Sequence, residues 1–167
     1  MTNKIPCGEE LIDAIVDAHK KGNKVLICGN GGLCAVSEHF AAELVGKFAF
    51  DVHIPCIALT SNTSLLTALA NDFGFEELFA YQIRVLGKEG DILIAMTTSA
   101  SRNIIRAVEA GNELGLTTVL ICAPGSPGLG AKLTYRMECE NEVAAVQDMI
   151  MEFLHHMAHD VKEKLCP

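Results

Sequence analysis

Five short apolar runs recur along the chain, separated by longer stretches in which apolar residues return every three or four positions. The runs are KVLIC at Lys24–Cys28, IPCIAL at Ile54–Leu59, DILIAM at Asp91–Met96, TTVLIC at Thr117–Cys122 and the weaker YRMECE at Tyr135–Glu140. The first four are almost continuously hydrophobic. That pattern marks strands covered on both faces, since a half-exposed antiparallel sheet alternates polar and apolar residues. The fifth carries Arg136, Glu138 and Glu140 and reads as an edge strand. Helical spacing predicts helices over Glu9–Lys21, Leu33–Phe48, Asn62–Asn71, Glu76–Leu86, Asn103–Leu114 and Ala144–Lys164. Strand and helix alternate, so the predicted fold is α/β, with a parallel sheet covered by helices on both faces.

The 167 residues suit one hydrophobic core, and no Pro/Ser-rich linker or charge block divides them, so residues 1–167 are read as a single domain. A hydrophobic fraction of 50% against 20% charged residues suggests more apolar surface than one copy covers, which points to an oligomer. The net charge of -8, with no basic stripe, argues against binding nucleic acid or an anionic membrane, yet leaves room for a small phosphate site. No apolar run reaches the ~18 residues of a membrane span, and the start MTNKIPCGEE lacks a signal-like core, so a cytoplasmic location is expected. Seven cysteines with no C-x-x-C pair read as reduced thiols. Cys34 stands apart because it follows a glycine turn, where helix-terminal N–H groups can lower a thiol pKa.

In open parallel sheets, ligands bind beyond the carboxyl ends of the strands. Four loops occupy that edge: GNGGL after the first run, TSNTS after the second, TTSAS after the third and APGSPG after the fourth. Hydroxyls and backbone N–H groups at helix starts donate the directional bonds a phosphate needs, although Ser and Thr also serve there simply as caps. The G-N-G-G element lacks the G-x-G-x-x-G spacing of a dinucleotide site, which argues against a nicotinamide cofactor, and without a G-x-x-x-x-G-K-[ST] a nucleotide-hydrolysing loop is unsupported. His39 and Glu43 lie four residues apart, on one face of the helix after the glycine turn. A solvated ion pair, a metal ligand set and an acid/base pair all fit that spacing.

GNGG at Gly29–Gly32, HFAAELVGKF at His39–Phe48, ALTSNTSLLTALANDFGF at Ala58–Phe75 and GDILIAMTTSASRN at Gly90–Asn103 together resemble the sugar isomerase (SIS) domain family, most closely its phosphoheptose isomerases. The resemblance runs from about Gly22 to Lys164. It implies a three-layer α/β/α sandwich with a five-stranded parallel sheet, a homotetramer with active sites between subunits, and aldose–ketose isomerisation of a phosphorylated sugar such as sedoheptulose 7-phosphate through a metal-assisted enediol. It further implies zinc held by His39, Glu43, Gln147 and His155, with Glu43 as base and His155 as its acid/base partner. Gln147 and His155 stand eight residues apart, ~12 Å along a helix, so one ion takes both only if the helix starts late or subunits share the site. The substrate would be met by Asn30, Gly31 and Gly32 at the glycine turn, Thr97, Thr98 and Ser99 in the hydroxyl-rich loop, Asn71 and Asp72, and Gln147. Lys47 falls where the family commonly has an arginine.

Departures from the family pattern cluster at the same loops. Leu33 replaces the serine after G-N-G-G, and the usual S-T-S-G-N-S reads Thr97, Thr98, Ser99, Ala100, Ser101, Arg102. Arg102 is read as a charge-assisted phosphate contact offsetting the lost hydroxyl and glycine, with a narrowed pocket or a solvent-facing side chain as the alternatives. Ala144, Ala145 and Val146 replace a polar run with Asp and Arg, and the first helix is shorter than in typical members. The rival reading is a non-catalytic SIS-domain protein that senses sugar phosphates or binds a replication initiator.

Overall fold

The computed structural model describes residues 6–139 and 142–166. The apolar runs form β1 (Val25–Gly29), β2 (Cys56–Ala58), β3 (Ile92–Thr97), β4 (Thr117–Cys122) and β5 (Leu133–Arg136). All neighbours pair in parallel, in the order β2-β1-β3-β4-β5. Around them pack α1 (Glu9–Lys20), α2 (Gly32–Val45), α3 (Thr63–Asp72), α4 (Leu78–Leu86), α5 (Arg102–Glu113) and α6 (Val143–Leu165), with a 3-10 turn at Phe75–Glu77.

Successive strand residues point to opposite faces, and this period of two builds both halves of the core. Val25, Ile27, Ile94, Met96, Val119 and Ile121 pack with the buried residues of α1, α2 and α6. Their neighbours Leu26, Cys28, Leu93, Ala95, Leu120 and Cys122 pack with those of α3, α4 and α5. The result is the expected three-layer α/β/α sandwich, with a strand core apolar on both sides.

Several boundaries differ from expectation. Helix α2 stops at Val45 rather than Phe48, because Gly46 turns extended (φ -82°, ψ -173°) while its N–H still bonds Ala42 O at 2.8 Å. Lys47 therefore lies beyond the helix. Strand β5 is Leu133–Arg136, earlier than Tyr135–Glu140, since pairing to β4 sets its register from Val119↔Leu133 to Cys122↔Arg136. Glu140 lies outside the described residues. At the other edge, β2 shortens to three residues and leaves Ile57 partly exposed.

Helices α2 and α6 run side by side in the same direction. The side chain of Gln147 fills the space left by the missing Cβ of Gly32, His39 meets His155, and Lys162 meets Gly46, the last two pairs each 116 residues apart. This constant offset brings one turn of α2 against one turn of α6 along their whole contact. Leu33, in the position of the family's serine, is buried in the core beneath α2.

Candidate active site

Helix α2 starts at a turn in which Gly31 takes φ +57°, a left-handed conformation that glycine adopts without strain. One turn separates His39 from Glu43, and α6 carries His155 against both. His39 Nε2 lies 3.1 Å from Glu43 Oε1 and 3.0 Å from His155 Nε2, while His155 Nε2 is 3.2 Å from Glu43 Oε1. The two imidazoles meet edge to face, with Phe48 stacked 6.3 Å from His155. Both histidines reach solvent, whereas the Glu43 side chain is only 9% exposed.

Three ligand atoms gathered within 4.8 Å form a group that could hold a metal ion. Two imidazole nitrogens and a carboxylate suit a borderline divalent cation and leave coordination positions for substrate or water. Glu43 supplies an independent sign of fit, because its buried Oε2 has no hydrogen-bond partner among the described residues. An acceptor in that state favours a nearby cation. His159, Asp160 and Glu163 form a second trio, but it is largely solvent-facing and its His159 already bonds Asp160 at 3.1 Å.

Gln147 lies on α6 about two turns before His155. Helix α6 is continuous from Val143, so the late-start alternative falls away and Gln147 stands ~12 Å along the axis from His155. A Cβ on Gly32 would lie 2.3 Å from Gln147 Oε1, so the amide sits against the start of α2.

Of the other expected residues, those of the glycine turn and the hydroxyl-rich loop lie at the carboxyl edge of the sheet, whereas Lys47 follows the end of α2 and Asn71 and Asp72 end α3. The chain leaves β1 for β2 on one side and later returns to β3 on the other, so the strand order reverses between β1 and β3. Such a switch point opens a crevice for ligands, here flanked by Asn30–Gly32 after β1 and Thr97–Arg102 after β3. Thr97 is buried, and its Oγ1 accepts the N–H groups of Ser99 (3.2 Å) and Ser101 (3.4 Å). Its hydroxyl thus shapes the loop, while Thr98 is partly exposed and Ser99 is exposed. Arg102, 79% exposed, pairs with Glu76 at 3.1 Å. Asn71 and Asp72 bond each other on the surface at 2.8 Å, and Lys47 pairs with Asp51 at 3.5 Å.

The chain matches the SIS domain over residues 8–122. It belongs to the SIS domain family. Within that family it is 36% identical to the phosphoheptose isomerase of Campylobacter concisus, over 89% of this chain and 80% of the relative. It is 46% identical to that of Clostridium acetobutylicum, over 66% of this chain and 58% of the relative. A solved phosphoheptose isomerase from Francisella tularensis superposes with a TM-score of 0.87 at 30% identity, covering 93% of this chain and 84% of the other.

Three features of this SIS domain escaped sequence reading. Lys162 has no exposed surface, and its Nζ donates to Gly46 O at 2.5 Å, capping α2. Burial lowers its pKa, opposed by the carboxylates of Glu43 and Asp51. A lysine near the end of a helix reads as solvated, and only its position seven residues after His155, on the same face, hinted otherwise. Asn103 is buried at the start of α5, where its carboxamide meets that of Asn30. A cavity of about 320 Å³ beside the glycine turn is lined by Asn30, Cys34, Thr60, Leu66 and Phe79 among others. The Cys34 thiol there donates to Gly29 O. Its pKa is raised, by burial and then by the Glu38 carboxylate, against a smaller lowering by the Gly31 backbone, so the helix terminus does not activate it.

Proposed function

We propose that this SIS domain is an aldose–ketose isomerase of phosphorylated sugars, with sedoheptulose 7-phosphate and D-glycero-D-manno-heptose 7-phosphate as its pair. The observation that carries the reading is the meeting of His39, Glu43 and His155 across α2 and α6, in a chain whose relatives bear the name phosphoheptose isomerase.

Isomerisation moves one proton from C1 of the ketose to C2 and one from O1 to O2. Glu43 takes the C1 proton as base, and His155 delivers a proton to O2, giving a cis-enediol. His155 then withdraws the O1 proton while Glu43 returns its proton to C2, which yields the aldose. His39, Glu43 and His155 would hold zinc, whose chemistry is to polarise the carbonyl and stabilise charge on oxygen. The phosphate is received at the switch point by the Asn30–Gly32 turn, Thr97, Thr98 and Ser99, with Arg102 released from Glu76 to join it. Binding energy spent there orients the distant reacting carbons. Asn71, Asp72 and Lys47 line the approach, and Gln147 completes the ligand set, contributed by a neighbouring copy. A homotetramer is the proposed assembly. Exposed Val45, Phe73, Phe75 and Val85 supply apolar surface for it. Among the described residues no helix is long and apolar enough to cross a membrane, and a cytoplasmic location is proposed with the rest.

The test incubates zinc-loaded protein with sedoheptulose 7-phosphate and a panel of other ketose phosphates, following aldose formation, with Glu43→Gln as control. Turnover lost in the variant supports the reading, and absence of turnover on every substrate rejects it. Binding without turnover identifies a sugar-phosphate sensor instead. Metal content of the parent and of the His39→Ala/His155→Ala double variant tests the ligands separately, and equal content rejects them.

A further inference from the structure

The Asn30 and Asn103 side chains form a closed amide pair. Asn30 Nδ2 donates to Asn103 Oδ1 at 2.9 Å, and Asn103 Nδ2 donates to Asn30 Oδ1 at 2.8 Å. Asn103 is 1% exposed and Asn30 is partly exposed. One residue belongs to the turn after β1 and the other to the first turn of α5 after β3, so the pair bridges the crevice at which the strand order reverses. Each atom of the Asn30 amide spends one hydrogen-bonding site on Asn103, which fixes the side chain's orientation beside the backbone N–H groups of the turn.

We propose that Asn103 is a positioning residue for substrate phosphate. Acting through Asn30, it fixes the gap between the glycine turn after β1 and the hydroxyl-rich loop before α5, so that one phosphate meets donors from both. This rests on the isomerase reading for its substrate but not for its readout, since inorganic phosphate probes the crevice directly. Two parallel amide bonds fix relative orientation as well as distance, which a single contact does not. The proton-transfer groups lie on α2 and α6, in a contact that Asn103 does not make.

The experiment measures inorganic phosphate affinity by calorimetry, steady-state kinetics and thermal unfolding for the parent, Asn103→Ala and Asn103→Asp. Asn103→Asp keeps the size and one bond of the pair but sets a carboxylate oxygen against Asn30 Oδ1. A loss of one to two such bonds predicts a rise of roughly tenfold in phosphate Kd and in KM, with kcat changed about threefold or less. Asn30→Ala combined with Asn103→Ala should weaken phosphate no further than either alone, because the two act as one unit. Unchanged phosphate Kd and KM in folded variants, whatever their melting temperature, would overturn the proposal, as would additive effects in the double variant. Failure of the parent to bind phosphate overturns it too. Should the Asn103 variants not fold, Asn30→Asp on the partly exposed partner carries the same prediction. A parent that binds phosphate without isomerising any ketose phosphate leaves this inference standing and removes the isomerase reading alone.

Discussion

Ala100 offers a direct measure of what this chain forfeits at its hydroxyl-rich loop. Its backbone sits at φ +53°, a left-handed conformation that costs an L-residue about 1–2 kcal/mol. Glycine relieves that strain but brings more freedom to the unfolded chain, which costs about 0.4–1 kcal/mol. The methyl group is only partly buried and contributes little. Ala100→Gly is therefore expected to stabilise the fold by about 0.5–1 kcal/mol, or ~1–4 °C in melting temperature for a chain of this size. Ala42→Gly makes the same chemical change at an exposed position within α2, where glycine costs about 1 kcal/mol. Urea unfolding followed by circular dichroism reads both variants, with an unchanged denaturant slope showing that stability itself has moved. Opposite signs at the two sites are expected. A destabilisation at Ala100 comparable to that at Ala42 would refute the reasoning, since it would mean that the left-handed turn carries no strain.

Other perturbations have equally definite outcomes. Thr97→Val removes the oxygen that accepts the Ser99 and Ser101 N–H groups. It should cost about 1–2 kcal/mol and speed hydrogen exchange at those two amides. Asp91 is fully buried at the amino edge of the sheet and accepts from Lys24 N (3.0 Å), Lys24 Nζ (2.6 Å) and Lys88 N (2.9 Å). Asp91→Ala strands those donors and should lower unfolding free energy by on the order of 3 kcal/mol, without altering the turnover of the protein that stays folded. Hydrogen bonds from Arg84 and Arg106, then their charges, hold the Glu77 pKa below its ordinary 4.5. On acidification the unfolded chain takes up this proton first, so the contribution is full above pH 4.5 and is lost as pH falls through the lowered value. Glu77→Gln should show a shallower decline of melting temperature across that acid range, and identical slopes would refute the assignment.

The sequence alone determined the layered fold, because strands buried on both faces must be continuously apolar and helices between them must repeat every three or four residues. KVLIC and DILIAM obeyed that rule and became the central strands β1 and β3. It also brought out His39 and Glu43, whose residue types and helical spacing are visible without coordinates, while His155 came from the resemblance to the SIS family. Tertiary structure decided what those residues touch. The parallel register of α2 and α6 placed His155 against His39 and kept Gln147 beside Gly32, a consequence of two helices packing along their full length. The same packing buried Lys162 under Gly46, where its place near a helix end suggested solvent. Leu33, Thr97 and Asn30 show the same limit. All three were read from residue type as lining or altering a ligand site, and the fold adds what else they touch: Leu33 lies in the core, Thr97 Oγ1 accepts from its own loop and the Asn30 amide pairs with that of Asn103. A polar side chain at a loop can bond either ligand or backbone, and only the neighbours that the fold brings within about 3 Å decide which.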